Sequence, residues 1–356
     1  MAKIVINRDF YFHNLDLLSK KAGGVQKLMA VIKDNAYGHG LKIMAKLANE
    51  FGIKKAAVKN MQEALCVEML FEETLILADH PSSYPPKENI SYAVHSLEFL
   101  KKFPKNSNIH LNIDTGMHRN GISMSVIREA LEYVKRATLN LKGVFTHFRS
   151  ADDMSGELFW QQENWRKTKS EVIEVLDDLK MKRPLFHSYN SSALLRSKGG
   201  IDDDFARCGI ATYGYTHIDK NIATFDLKPV MSLYANRLST RVLKKGEKVG
   251  YGGVYIAKND KTISTYDIGY GDGFFRYDGL GNLAIANGQK ILGRVSMDSL
   301  CVEGDEDEIC LFDDVDRISR YFNTITYEIL TKLMPWIERE VKSQNDKAVY
   351  KRVYIV

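Results

Sequence analysis

The chain has only four cysteines in 356 residues, Cys66, Cys208, Cys301 and Cys310, with no CxxC pair and no spacing that suits a metal. That excludes a disulfide-stapled secreted scaffold and fits the reduced thiols of a cytoplasmic protein without a bound metal. Charge of one sign is lacking too. Fifty Lys and Arg face 45 Asp and Glu, and the formal charge of +5 is spread along the chain. So mild an excess gives no footprint for nucleic acid or a membrane surface. No apolar run comes near the ~18 residues of a membrane span, and the opening MAKIVINRDF lacks the apolar stretch of a signal peptide. Low-complexity tracts and linkers rich in Gly, Ser or Pro are absent as well. What remains is ordinary globular usage, 44% hydrophobic and 27% charged. The length suits two domains, barrels being the fold that runs long in one piece.

The first two thirds alternate. Short apolar runs at 28–32, 55–58, 74–78, 91–94, 108–113, 143–148, 184–187 and 206–213 are followed by segments with helical spacing. In 41–51, Met44, Leu47, Ala48 and Phe51 share one face, and Gly52 stops the helix. Segments 61–70, 96–103, 126–136 and 157–179 read similarly. Runs that are apolar on both faces point to parallel strands covered by helices. Eight is the number that closes a TIM barrel, so the expected class is α/β, with an N-terminal (β/α)8 barrel over 8–225 in preference to an open doubly wound sheet. After about Phe225, strand-like alternation at 232–242, 262–270 and 282–297 predicts a mostly β C-terminal domain over 226–356. Residues 1–7 are expected to pair with it. A last helix is expected over 326–340, then an extended tail at 349–356.

In a βα-barrel, functional groups gather where strands end and loops begin. The first strand ends at Lys33. A lone lysine there is ordinarily a solvated charge. The alternative is a Schiff-base lysine, its amine kept partly unprotonated by apolar surroundings and neighbouring cations. The context, AVIKDNAYGHG at 30–40, closely resembles the pyridoxal-phosphate signature of the alanine racemases. The resemblance continues in the family's order through DTGMHR (114–119), THF (146–148), HSYNSS (187–192), RCGI (207–210), GYG (250–252), IGYGDG (268–273), GRVSMD (293–298) and ITYE (325–328). It implies a TIM barrel followed by a β domain, and a pyridoxal 5′-phosphate enzyme interconverting L- and D-alanine to supply D-alanine for peptidoglycan.

Racemisation removes an α-proton from one face and returns one to the other, so two opposed bases are the simplest arrangement. The resemblance gives these roles to Lys33 and Tyr251. A free tyrosine has a pKa near ~10 and needs help at neutral pH. The family's helper is a hydrogen-bonded chain from the tyrosine through a histidine to an arginine, here His147 and Arg207. Arg207 also resembles the residue that faces the cofactor's pyridine nitrogen. A guanidinium only donates, so that nitrogen stays an unprotonated acceptor and the ring a weaker electron sink, which argues for racemisation over decarboxylation. By resemblance, Tyr37, Ser191, the backbone of Gly209 and Ile210, and Tyr327 bind the phosphate; hydroxyls and amides near a strand-to-helix turn suit a dianion. Arg119, a two-pronged donor, resembles the arginine that meets the cofactor's phenolic oxygen and the substrate carboxylate. Met297 and Tyr270 resemble substrate-side residues, and His187 is expected to support Arg207 or Tyr251 from behind. In the family, Tyr251, Tyr270 and Met297 reach the other subunit's active site, which implies an obligatory homodimer. Taken singly, these residues read as a core histidine, a surface arginine, or one tyrosine among 18.

Two places depart from the family. Many members have a carboxylated lysine two residues before DTGM, and its negative charge holds the neighbouring arginine. Asn112 stands there and cannot carry that charge, so a bound anion such as chloride is expected near Asn112 and Arg119. The Arg-rich ending usual after the last helix is replaced by MPWIERE (334–340), so the C-terminal contacts are expected to differ from the family's. Two other readings follow the same motifs. One is a racemase of broader specificity, taking serine as well as alanine, which pocket volume would decide. The other is a non-catalytic pyridoxal-phosphate homeostasis protein, which would resemble the barrel alone, without the β domain that carries Tyr251.

Overall fold

The computed structural model describes residues 1–81 and 85–343. Its internal contacts divide the chain into two units. One holds Phe12–Ala36 and Leu41–Lys228. Its eight main strands are β1 (Leu28–Val31), β2 (Lys55–Val58), β3 (Glu73–Ile76), β4 (Ile90–Val94), β5 (Asn108–Asp114), β6 (Asn140–Phe145), β7 (Leu185–His187) and β8 (Ala206–Cys208). Each pairs in parallel with the next from β1 to β7, and β8 pairs with β1. Backbone hydrogen bonds from Asp204 N to Phe186 O and from Arg207 N to Tyr189 O, both 2.9 Å, nearly close the ring between β7 and β8. The architecture is the expected TIM-like barrel. Helices cover it with one apolar face each, as the 3.6-residue period requires. Leu41–Phe51 buries Leu41, Met44, Leu47 and Ala48 and stops at Gly52, whose φ of +106° suits only glycine. Glu157–Asp178 buries Leu158, Trp165, Val172 and Leu176.

Because the strands are parallel, all their C-terminal ends lie on one rim. Lys33, the 114–119 loop, His147, Ser191 and the Gly209–Ile210 turn therefore leave the barrel on the same side. The turn after Lys33 is unusual. Asp34, Asn35, Ala36 and Tyr37 have φ of 53°, 54°, 52° and 51°, a left-handed helical turn. Asp and Asn tolerate this; each of the others is strained by roughly 1–2 kcal/mol. Side chains hold the turn: Glu63 accepts from Asn35 N at 2.9 Å, and Asn35 Oδ1 accepts from Leu41 N at 2.8 Å.

The other unit comprises Met1–Tyr11, Tyr37–Gly40 and the described residues from Pro229 on. Its sheet is built on the long strand Met231–Leu243, which pairs antiparallel with Lys3–Asn7, Glu308–Phe312 and Lys261–Tyr266. Leu300–Glu303 extends one edge, and Glu338–Lys342 runs parallel to Lys3–Asn7. The segment expected as a strand over 282–297 forms only isolated bridges. Gly281, Gly288 and Gly293, at φ of 87°, 90° and 72°, turn the chain too often for a strand. The helix expected over 326–340 spans only Thr326–Lys332: Leu333 is already extended, at φ −61° and ψ 125°, and Pro335 could not have continued the helix. The tail at 349–356 lies outside the described residues.

The ending that lacks the family's arginine-rich pattern still supplies one buried arginine. Arg339 donates Nε and Nη2 to Gly38 O at 3.1 and 2.8 Å, and Nη1 to Pro335 O at 2.9 Å and Ile337 O at 2.5 Å. These carbonyls, in the loop that follows the helix and in the 37–40 segment, are thereby satisfied. Gly38 is fixed from the other side as well, since a Cβ there would lie 2.0 Å from Leu330 O. Replacing Arg339 by Met keeps the apolar volume but orphans these carbonyls. It is expected to destabilise the protein by about 2 kcal/mol or more, read as a lowered midpoint in scanning calorimetry; an unchanged midpoint would contradict the assignment.

Candidate functional site

Three cations converge on one histidine at the barrel rim. His147, half-buried just beyond β6, is held down at about 3, first by burial and then by the positive charges of Arg207, Arg119 and Lys33. It is therefore neutral at working pH. Lys33 follows β1 directly, and its ammonium lies 3.9 Å from the Asp34 carboxylate, which Lys59 engages more closely at 2.8 Å. Arg119 stands exposed at the end of a tight loop. Asp114 folds that loop by accepting the N–H groups of Gly116 and His118 at 2.9 and 3.1 Å.

Arg207 is buried on β8. Its Nη1 donates to Nδ1 and to the carbonyl of His187, both at 2.7 Å, and its Nη2 donates to Thr146 O at 2.7 Å. The guanidinium lies over the Phe145 ring, 5.0 Å from its centroid. Burial lowers it to about 10, so it remains a cation at neutral pH. The expected His147–Arg207 link is not a hydrogen bond in this structure. The partner is His187, the residue expected to support Arg207 or Tyr251 from behind, with the Thr146 carbonyl taking the other arm of the guanidinium. His187 lies far below its ordinary value, through burial first and then the charge of Arg207. Behind it, its Nε2 meets His110 Nδ1 at 2.8 Å, and His110 Nε2 meets Glu73 at 2.8 Å.

Ser191 opens a short helix capped by Asn190, whose side chain accepts from Ala193 N at 2.9 Å. The Ser191 hydroxyl accepts from Gly209 N at 3.0 Å and Ala211 N at 3.5 Å. With its lone pairs so engaged, its proton is available to an anion. Ser191, Gly209 and Ile210 are thus brought together. Asn112, on β5, donates Nδ2 to His95 Nδ1 at 3.0 Å, while His95 Nε2 donates to Leu77 O at 2.7 Å. His95 is thereby fixed neutral. Burial lowers it first, and the Arg119 charge lowers it further.

In the sheet unit, Tyr37 and Tyr327 pack ring against ring, centroids 5.8 Å apart. The turn after Gly250 lies against Arg294, and the Tyr270 turn lies on the 296–297 backbone, with Tyr270 N donating to Ser296 O at 3.1 Å and Gly271 N to Met297 O at 2.8 Å. Tyr251, Tyr270 and Met297 are 68%, 38% and 54% exposed.

Sequence reasoning passed over Glu73, His110 and His95. A signal was present: each is a polar residue at or near a strand that is otherwise apolar, where an unpaired polar group is costly. Among the described residues, no group of His, Cys, Asp and Glu could hold a metal ion, and no helix is long and apolar enough to cross a membrane.

The neutral His147 has a thermodynamic consequence. Unfolded, it titrates near ~6.5; folded, at about 3. The unfolded state then binds the extra proton, so the folded state loses ground as the pH falls from ~6.5 toward 3, by up to ~1.4 kcal/mol per pH unit. His147→Asn should flatten the fall in unfolding free energy between pH 6.5 and 5 in urea titrations. An unaltered slope would show that this histidine is not held neutral.

The whole chain finds relatives. Residues 6–217 match the alanine racemase N-terminal domain family and residues 230–341 the alanine racemase C-terminal domain family. An alanine racemase from a Nitratiruptor species is 48% identical over 339 residues, 95% of this chain and 99% of that protein. The crystal structure of alanine racemase from Bacillus anthracis with bound L-Ala-P has a TM-score of 0.84 at 26% identity, covering 100% of this chain and 97% of that one. A histidine racemase from Leuconostoc mesenteroides subsp. sake has a TM-score of 0.81 at 25% identity, covering 96% and 98%. Since both domain families match in order, and a relative of nearly equal length shares close to half its residues, the chain belongs to the alanine racemase family of isomerases.

Proposed function

We propose that this protein interconverts L- and D-alanine with pyridoxal 5′-phosphate, in the cytoplasm, as a source of D-alanine for peptidoglycan. The observation that carries the reading is the gathering of Lys33, the buried cation Arg207, Ser191 and the Gly209–Ile210 turn on one rim of the parallel barrel. Such a rim favours a multiply charged anion. The donor set suits that cofactor: an amine at a strand end, a donor-only guanidinium, and a hydroxyl with its proton to spare beside Gly209. When bound, the cofactor supplies the electron sink that acidifies the substrate's α-hydrogen.

The chain's own residues do the rest. Lys33 holds the cofactor and moves a proton at Nζ on one face of the substrate. Tyr251, contributed by the partner subunit, moves one at its phenol oxygen on the other. Arg207 donates to the pyridine nitrogen and keeps it unprotonated. Ser191 and the amide of Ile210 bind phosphate, while the Gly209 amide, donated to the Ser191 hydroxyl, holds that hydroxyl in place; Tyr37 and Tyr327 join them on the family likeness alone. Arg119 orients the substrate carboxylate. Met297 and Tyr270 bound the substrate side, and their exposure in the single chain favours a homodimer with shared sites. A chloride ion beside Arg119 stands in for the missing carboxylated lysine. Asn112 cannot replace that charge, and its amide is already engaged with the neutral His95. We place the two functional domains at 8–225 and 226–356. The match of residues 230–341 to the C-terminal domain family favours this reading over a barrel-only binding protein.

The test is incubation with L-alanine and cofactor in heavy water, followed by chiral analysis. D-alanine bearing α-deuterium is expected, with rate falling when gluconate replaces chloride. Lys33→Ala and Tyr251→Phe should each abolish it, and mixing the two variants should restore roughly a quarter of the native rate, since half the dimers would carry one intact site. No exchange by the native protein would reject the reaction, a rate indifferent to halide would reject the anion, and no recovery on mixing would reject the shared site.

A further inference from the structure

The side chains behind Arg207 form a chain inside the barrel with one possible sense. Arg207 has no acceptor, so the His187 Nδ1 that lies 2.7 Å from it must accept. The His187 ring is sandwiched between Phe145, centroids 4.9 Å apart at 9°, and Phe205, 4.4 Å at 21°, and it is fully buried. Its single proton is therefore on Nε2, donated to His110 Nδ1 at 2.8 Å. Accepting there, His110 must carry its own proton on Nε2, donated to Glu73 Oε1 at 2.8 Å. Glu73 is held as an anion by the Ser91 hydroxyl at 3.0 Å and by Lys55 at 3.3 Å on its other oxygen. With a donor-only cation at one end and a carboxylate at the other, no other placement of the protons satisfies all three contacts.

The backbone is shaped around this chain. Gly143, in the interior of β6, leaves room for the imidazole, since a Cβ there would lie 2.2 Å from His110 Nδ1. The β5–β6 pairing also shifts register between Ile109 and His110. A strand-interior glycine and a register shift both weaken a sheet, and both serve where a side chain must be aimed.

We propose that Glu73 and His110 are positioning residues for Arg207, acting by fixing the tautomer of His187. The proposal rests on the reading of Arg207 as the residue that faces the cofactor. With the chain intact, His187 presents a lone pair, and the guanidinium is held in one orientation. With the chain cut, the His187 proton is free to move to Nδ1, where it opposes an Arg207 N–H and turns the guanidinium away. The far carboxylate thus sets the geometry of an arginine it never touches.

Neutron diffraction from crystals of the full chain with cofactor, grown in heavy water, tests this directly. Deuterium is expected on Nε2 and not on Nδ1 of both His187 and His110; deuterium on Nδ1 of His187 overturns the proposal. Kinetics give the second arm. His110→Gln keeps one acceptor and one donor, whereas His110→Leu keeps only volume. The Leu variant should lose about tenfold or more in kcat with KM for alanine shifted less than about threefold, and the Gln variant should recover most of the loss. Equal kcat in the two variants, or native kcat in the Leu variant, overturns the positioning role. If the Leu variant does not fold, the Gln variant and the tautomers still decide. The tautomers need no turnover, so a native chain that shows them but leaves alanine unchanged overturns the functional reading alone.

Discussion

A guanidinium buried inside the barrel is the constraint on which the site depends. Taking a charge out of water is unfavourable by several kcal/mol unless other groups replace its solvation. Arg207 is solvated by two carbonyls, one imidazole nitrogen and the face of Phe145. None of these is a carboxylate. A carboxylate in direct contact would neutralise the arginine locally and spend its donors in a tight ion pair. Here the nearest anion on the hydrogen-bonded path is Glu73, two imidazoles away. No carboxylate therefore touches Arg207, and the charges of Lys33 and Arg119 act on His147 beside its own.

The fold makes that concentration of charge possible. Parallel strands put every strand-to-helix loop on one rim, so residues from 33 to 210 meet although they are far apart in sequence. The helices outside carry the apolar burial, which leaves the barrel interior free to hold a polar chain. The left-handed turn at residues 34–37 is strain at the site itself, over-determined by Glu63 and Asn35. Local strain of this kind is tolerable only on a scaffold whose stability comes from elsewhere.

Much of this was legible in the residues. The eight apolar runs locate the eight strands, and the helix over 41–51 ends at Gly52 in the structure as expected. Boundaries failed where glycine and proline act through conformation. The run at 282–297 is apolar enough for a strand but is turned by its glycines, and the last helix stops at Lys332, ahead of a Pro335 that could not have continued it. Among site residues, Lys33, Arg207 and Ser191 are visible through long motifs. Glu73 and His110 are not, because their meaning depends on partners 37 and 77 residues away, paired through barrel closure. Of the two histidines linked to Arg207 in the sequence, His187 does support it, whereas the His147 bond does not form.

The measurement that goes most directly to the centre is covalent trapping. The full-length protein would be mixed with pyridoxal phosphate at a stoichiometric level, reduced with borohydride, digested and mapped by mass spectrometry. A site built from Lys33 and its neighbouring cations should give a single modified peptide, with the adduct on Lys33. Label scattered over the other lysines, or none on Lys33, would contradict a cofactor held at this rim.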